Sequence, residues 1–282
     1  MHLIEFSKVQ DFLVLTQDTL ELNESANHLM LGICLQLRDE PERYAEPPFL
    51  AAVLDEQEQV ILCAVMTPPY PLVLQAMEGH ETEINQLVSY ILRRRISITG
   101  VNGRVGVSSV FANLWQSATG LGIRASMALR VYELKQVIMP DLPIGRFRQA
   151  TQKDAETVLA WFMAFQEEAI PEGERLDNSE HIKNAIDMGN VYVWERAGNL
   201  VSMALRQRPT SHAVSVSGVY TPLEERKKGY ASACVAKLTQ LLLDEGFTFV
   251  NLFTDLANPT SNDIYQKIGY KPICDFDRYS FD

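Results

Sequence analysis

The sequence predicts an α/β protein (α+β in the arrangement of its sheets) with two tandem mixed-sheet domains flanked by helices. Three observations carry this expectation. The chain has 282 residues, 46% of them hydrophobic and 22% charged, which is enough to bury more than one core, since a domain takes about 100–200 residues. Helical spacing and strand alternation follow one another in the same order in both halves. The loop Met139-Pro140-Asp141-Leu142-Pro143 interrupts that pattern midway, so the expected domains are 1–139 and 144–282.

In the first half, Val9–Leu22 and Ser25–Arg38 carry apolar residues at helical spacing. Pro47-Pro48 breaks the chain before two strands, Phe49–Leu54 and Val60–Thr67, joined by the acidic turn Asp55-Glu56-Gln57-Glu58. The prolines of 68–71 lead into a third strand, Leu72–Ala76. Helix Glu81–Arg95, a strand near Ile96–Thr99, the turn Gly100–Gly103, helix Ser108–Ala118 and strand Ile123–Val137 follow. Arg93-Arg94-Arg95 ends a helix, where cations complement the dipole. The turn Met77-Glu78-Gly79-His80-Glu81 holds no Lys or Arg, so it lacks the cations a phosphate would need.

The second half opens with strand Arg146–Ala150 and helix Lys153–Glu168, which Thr151 caps ahead of Asp154 and Glu156. Helix Asn178–Met188 precedes strands Val191–Arg196 and Leu200–Gln207, and the intervening Gly198-Asn199 is a hairpin signal. An alternating strand at 212–220 comes next, then helix Tyr230–Glu245, strand Phe247–Asp255, a short helix Asp263–Ile268 stopped by Gly269, and a last strand Tyr270–Phe281.

The most informative stretch is V-Y-T-P-L-E-E-R-K-K-G-Y-A-S-A, from Val219 to Ala233. A strand runs into a basic turn and a small-residue helix start follows at once. Backbone N–H groups, a helix N-terminus and Arg226, Lys227 and Lys228 thus surround one small space suited to a pyrophosphate. The plainer reading of the three cations is a solvated turn. The spacing R-x-x-G-x-A, formed by Arg226, Gly229 and Ala231, resembles the Q/R-x-x-G-x-G/A signature of the GNAT superfamily of acyl-CoA-dependent N-acetyltransferases. Downstream, Asn258-Pro259 with Ser261, Asn262, Tyr265, Lys267, Gly269 and Tyr270 resembles that family's C-terminal motif. The two motifs stand in the family's order, and the resemblance covers nearly all of 144–282.

The resemblance implies an acetyl-CoA-dependent N-acetyltransferase acting on a primary amine of a small molecule or peptide. It implies that Arg226, Lys227, Lys228, Gly229, Tyr230, Ala231 and Ser232 hold the pyrophosphate of coenzyme A. It places the pantetheine arm along the backbone of Val219, Tyr220 and Thr221, like an added strand, with an N–H near Val219 for the oxyanion. Asn258 would touch the same arm, or else serve as a helix cap or Asx turn. Tyr265 is the expected general acid toward the leaving thiolate; the alternative is an amphipathic core residue. A phenol near pKa ~10 protonates a thiolate near ~8.5 without strong driving force, but it can hydrogen-bond to it. Ser215, Ser217, His212, Glu167 and Glu168 are cleft-facing candidates for the base, and none is assigned. His212 also reads as an exposed turn residue, and Glu167-Glu168 as a solvated helix end. A rival function is a binding module that senses acyl-CoA without transferring the acyl group. Residues 1–139 read as a degenerate GNAT-like domain without coenzyme binding, or as an unrelated α/β domain. The acceptor would be chosen by the loop Ala169–Leu176 and by contacts from the first half.

Composition excludes other classes. The net charge of −11 divides into −6 for 1–140 and −5 for 141–282, so neither half is the basic module nucleic-acid binding favours. No G-x-x-x-x-G-K-S/T occurs, which disfavours a nucleotide-hydrolysing loop. Cys34, Cys63, Cys234 and Cys274 lack C-x-x-C spacing and read as reduced thiols, with no metal site expected. The first 22 residues mix charges among apolar positions, and no apolar run approaches the ~18–20 residues of a membrane span. The expectation is a cytoplasmic protein, monomeric or homodimeric, with acetyl-CoA and an amine as its only partners.

Overall fold

The computed structural model describes residues 2–76, 79–171, 175 and 179–282. The chain divides into two compact units, Met1–Val131 with Ile273–Asp282, and Tyr132–Pro272. The division falls inside a strand, upstream of the loop at 139–143, and the last ten residues join the first unit.

The first unit runs β1 (His2–Phe6), α1 (Val9–Glu21), α2 (Glu24–Asp39), β2 (Phe49–Leu54), β3 (Val60–Met66), β4 (Leu72–Ala76), α3 (Glu81–Arg94), β5 (Gly100–Arg104), α4 (Val107–Thr119) and the larger part of β6 (Ile123–Leu134). The C-terminal strand β12 (Lys271–Phe281) supplies its end to the same sheet, whose order is β1-β2-β3-β4-β5-β12-β6. β4 and β5 pair in parallel, whereas β1 to β4 pair antiparallel in succession and β12 pairs antiparallel to β5. β2 shows why its sequence is an unbroken apolar run. Leu50 and Ala52 face a core with Phe12 and Leu31 of α1 and α2, while Phe49, Ala51 and Val53 face Leu87 and Phe111 of α3 and α4. A strand covered on both faces has no polar side to alternate with.

Two readings of this half need correction. Gly100–Gly103 is strand, not turn, and 96–99 is not. The glycines are there because neighbours crowd them. A Cβ on Gly100 would lie 2.2 Å from the Tyr279 carbonyl oxygen, and one on Gly103 would lie 2.9 Å from that of Leu74. Close backbone approach leaves a strand glycine looking like a turn signal. β1, an edge strand paired to β2, carries no such signal and was not anticipated. β6 ends at Leu134, short of Val137.

The second unit runs β7 (Arg146–Gln149), α5 (Ala155–Ala169), α6 (Ser179–Asp187), β8 (Val191–Arg196), β9 (Asn199–Gln207), β10 (Ala213–Tyr220), α7 (Tyr230–Asp244), β11 (Phe249–Asp255) and α8 (Pro259–Ile268). The strands lie in the order β11-β10-β9-β8-β7, with the end of β6 next to β11. Only β10 and β11 pair in parallel among the registers β7 to β11. α7 and α8 cover one face through Tyr230, Val235, Leu238 and Ile268; α5 and α6 cover the other through Val158, Ile182 and Ile186. Ala197 and Gly198 both have positive φ, 48° and 82°, as a tight two-residue hairpin requires. α8 begins at Pro259 rather than Asp263, with Asn258 as its cap and proline in its first turn.

The start of α5 is held by a capping box and an ion-pair network. Asp154 accepts from the Thr151 backbone N–H (2.7 Å) and hydroxyl (2.9 Å), and from both Nη atoms of Arg148 (2.8 and 2.9 Å). Arg148 also donates Nε to Glu195 at 2.7 Å. The Arg148 guanidinium and the Thr151 donors lower the Asp154 carboxyl to about 2. A depressed folded-state pKa contributes stability that is present above the unfolded value near ~3.9 and lost as pH falls through the folded one. Urea titrations between pH 5 and pH 2 should show the second unit losing about 2 kcal/mol from this group. Asp154→Asn should lower stability at pH 7 and flatten that acid dependence; an unchanged slope would refute the assignment.

Candidate functional site

The site of the second unit begins where a parallel ladder stops. β10 and β11 pair through Ala213–Phe249, Val214–Val250 and Ser215–Asn251. Beyond those pairs, Val216–Tyr220 and Leu252–Asp255 share no register. β10 keeps its other neighbour, β9, but with a bulge between Ser217 and Tyr220 where Gly218 takes φ +55°. A bulge bends its strand and increases the local twist, here just past the last β10–β11 pair. The result is a wedge with backbone edges on both sides.

The turn after β10 is built from local hydrogen bonds. Thr221 donates its hydroxyl to Ser202 Oγ (2.9 Å), and Ser202 donates to the Tyr220 carbonyl (3.2 Å). The backbone N–H of Glu225 donates to Pro222 O at 2.9 Å, and that of Arg226 to Leu223 O at 3.3 Å. Then the backbone changes hand: Lys227 has φ +63° and Gly229 φ +82°. α7 starts at Tyr230 with no acidic residue in its first turn. The amides of Lys227 to Ser232 donate to no described residue, and Ala233 is the first to bond, to Gly229 O at 3.0 Å. A helix start without partners for its N–H groups, preceded by a left-handed residue, has the geometry that suits an anion. A Cβ on Gly229 would meet nothing closer than Pro143 at 4.0 Å, so its glycine answers to the positive φ and not to crowding.

The three cations are arranged differently from a simple basic rim. Arg226 donates Nη2 to both oxygens of Glu168 (2.7 and 2.8 Å) and Nε to the Thr221 carbonyl (2.8 Å). Lys228 pairs with Glu225 at 2.9 Å. Lys227 has no ion pair among the described residues. Tyr230 is buried in the core, and its hydroxyl accepts from Arg196 Nη1 at 3.0 Å.

α8 closes the far side of the wedge. Asn258 caps it by accepting the Ser261 N–H at 3.0 Å. Asn262 Nδ2 donates to the carbonyls of Asp255 (2.9 Å) and Asn258 (2.7 Å). Its Oδ1 accepts from the Tyr132 hydroxyl at 3.0 Å, and that hydroxyl accepts in turn from Gln266 Nε2 at 2.9 Å. These bonds tie the helix to the end of β11 and to β6, and so position Tyr265. Tyr265 is buried, edge-on to Tyr270 with ring centroids 6.0 Å apart. Burial raises its phenol to about 12, opposed in part by a hydrogen bond from Ser261. Burial thus favours the neutral phenol over its anion.

The base candidates do not converge. Ser215 is buried, His212 is exposed at the start of β10, and Glu168 is engaged by Arg226. Ser217 carries a buried Oγ with no hydrogen-bond partner among the described residues. The Glu167 carbonyl accepts from Arg175 Nη2 at 3.0 Å. Of the loop Ala169–Leu176, residues 172–174 and 176 lie outside the described residues, as do Met77 and Glu78 of the first half's acidic turn. The roles of Asn262, Tyr132 and Gln266 were not anticipated. Asn262 stood in a recognised motif without a role, while Tyr132 is 130 residues away and offered no signal.

A parallel pair that separates beside a bulged strand, followed by an open helix N-terminus, is the arrangement that the GNAT resemblance implies. Residues 155–270 match the acetyltransferase (GNAT) family. The match lies within the second unit and spans less than half of the chain. A solved Drosophila protein resembles it at a TM-score of 0.70 and 11% identity, with 99% of this chain and 98% of that one covered. A GCN5-related N-acetyltransferase from Sphaerobacter thermophilus gives 0.63 and 14%, covering 98% and 94%. A tandem GNAT protein from the clavulanic acid biosynthesis pathway gives 0.58 and 14%, covering 99% and 97%. At such identities the likeness is one of fold. No curated protein matches the chain. Among the described residues, no group of three or more His, Cys, Asp or Glu is placed to hold a metal, and no helix is long and apolar enough to cross a membrane.

Tyr132→Phe removes the donor to Asn262 and the acceptor of Gln266. It should cost about 1 kcal/mol in urea unfolding and loosen α8, seen as faster amide exchange over 259–268. Unchanged exchange there would show that α8 does not depend on this network.

Proposed function

We propose that the second unit transfers an acetyl group from acetyl-CoA to a primary amine of a small molecule or peptide. The observation that carries this reading is the row of amides from Lys227 to Ser232, open at the mouth of the wedge between β10 and β11. The amides and the positive end of α7 suit a diphosphate, and Lys227 is available to it. The backbone of Val219, Tyr220 and Thr221, past the last pair with β11, suits the amides of a pantetheine arm. Asn258 keeps its Nδ2 for the same arm while its Oδ1 caps α8. The coenzyme supplies an acyl group already activated as a thioester. The protein's part is to hold that group still, exclude water and place a donor. Tyr265 is the donor: its phenol retains its proton, which suits a hydrogen bond toward a developing thiolate.

In this reading 144–282 is the catalytic repeat and 1–139 a repeat that does not take coenzyme. The strand ends of the first repeat support it. β5 extends only one residue past its last pair with β4. The corresponding arm of β11 is four residues long. Glu81 and Glu83 in the first turn of α3 would repel a phosphate. The free cysteines, three buried and one half-buried, fit a cytoplasmic setting, and the net charge of −11 fits an amine partner and no nucleic acid.

A second reading, an acyl-CoA sensor without turnover, draws support from Glu168, one of the two acidic candidate bases, being held by Arg226. Calorimetry with acetyl-CoA should give one site per chain. Gly229→Ala, forced to φ +82°, should weaken binding roughly tenfold. A wild-type chain that ignores acetyl-CoA would defeat both readings. Thiol release with an amine panel separates them, since binding without release on any amine favours the sensor. Tyr265→Phe should lower kcat roughly 100-fold while leaving acetyl-CoA affinity intact. Because the phenol titrates near 12, wild-type kcat should show no loss from its ionisation between pH 7 and 10. A pH–rate profile with a descending limb in that window, absent in Tyr265→Phe, would contradict the assignment.

A further inference from the structure

We infer that Glu168 and the side chain of Arg226 form a strut that couples the coenzyme turn to the acceptor side of the second unit, so that the motif arginine serves position and not phosphate contact. The inference rests on the function proposed above. Glu168 sits one residue before the end of α5, and the loop thought to choose the acceptor begins there. Arg226 sits three residues before Gly229 in the turn after β10. Its Nη2 reaches both carboxylate oxygens of Glu168, its Nε holds the Thr221 carbonyl, and its guanidinium lies 5.7 Å from the centre of the Tyr220 ring. Tyr220 in turn packs on Trp161 of α5, ring centroids 6.0 Å apart. Two contacts of different chemistry therefore join α5 to the end of β10 and the turn that follows it.

The same end of α5 is tied to the loop that follows it. Arg175 donates Nε to the Ile170 carbonyl and Nη2 to that of Glu167, both at 3.0 Å. Arg175 thus holds the backbone on either side of Glu168, and the Glu168 side chain holds Arg226 of the turn after β10. The pair is about half exposed, 47% for Glu168 and 36% for Arg226, so its Coulomb energy adds little to folding. What a guanidinium shared between Glu168 and the Thr221 carbonyl supplies at such a site is geometry. Held this way, Arg226 fixes the stem from which the left-handed Lys227 and Gly229 turn their amides outward. It also cannot swing to an arriving phosphate without releasing α5.

The test is a cycle of Glu168→Gln, Arg226→Gln and the double variant, each confirmed folded by thermal unfolding. Coenzyme A affinity by calorimetry should fall three- to tenfold in either single variant and no further in the double. Additive losses, an unchanged affinity or tighter binding in Glu168→Gln would each overturn the strut; tighter binding would mean that Glu168 withholds Arg226 from the phosphate. Amide exchange on the ligand-free chain supplies a readout that does not need coenzyme. Glu168→Gln should speed exchange in 221–229 as well as at the end of α5, and acceleration confined to one segment would also overturn the strut. Failure of the wild type to bind coenzyme A would sink the proposed function and leave the exchange result to judge the strut alone.

Discussion

Everything at the working end of the second unit depends on two parallel strands that share a ladder for three pairs and then lose it. β10 and β11 leave register after Ser215 and Asn251 while β10 stays on β9 through a bulge at Gly218. Once the strands separate, their backbone groups need a partner from outside the ladder, because unmet N–H and C=O groups are costly away from water. A wedge of that kind suits an extended, amide-bearing molecule. The first unit has the same parallel pairing in β4 and β5, and there β5 ends one residue past its last pair.

Charge is arranged around the turn at 226–232 with restraint. Glu168 and Glu225 hold two of the three cations that the sequence concentrates there. What remains turned outward is backbone: six amides and the start of α7. Amides fixed by a turn need no reorganisation when an anion arrives, whereas long side chains must give up rotamers and, here, ion pairs. On the opposite side, α8 is held by Asn262, Tyr132 and Gln266, so Tyr265 depends on a strand far from it in sequence. A buried phenol on a fixed helix keeps its proton for a physical reason, desolvation of its anion.

How much was legible follows from which forces are local. The helices α1, α2, α3, α5 and α7 and the strands β2, β3, β8 and β9 are found within a residue or two of where periodicity places them, because each buries one face or both against its own layer. The capping box at Thr151 and the hairpin at Ala197-Gly198 were equally readable, since their hydrogen bonds and φ angles involve neighbours. Gly100 and Gly103 misled for the opposite reason. Their role is set by Tyr279 and Leu74, which lie far along the chain, and a glycine spared for a neighbour's backbone looks the same in sequence as one spared for a turn.

The amino-acid order alone determined the alternation of helices and strands, the basic turn at 226–232 and the match of 155–270 to the GNAT family, because these depend on residues within a few positions of one another. Tertiary structure alone decided that β12 ends in the first unit's sheet, that the parallel strands separate after three pairs, and that Arg226 answers to Glu168. Those outcomes depend on which distant segments meet and which side chain reaches a partner first. Pairing of that kind is a property of the packed chain, and no local spacing encodes it.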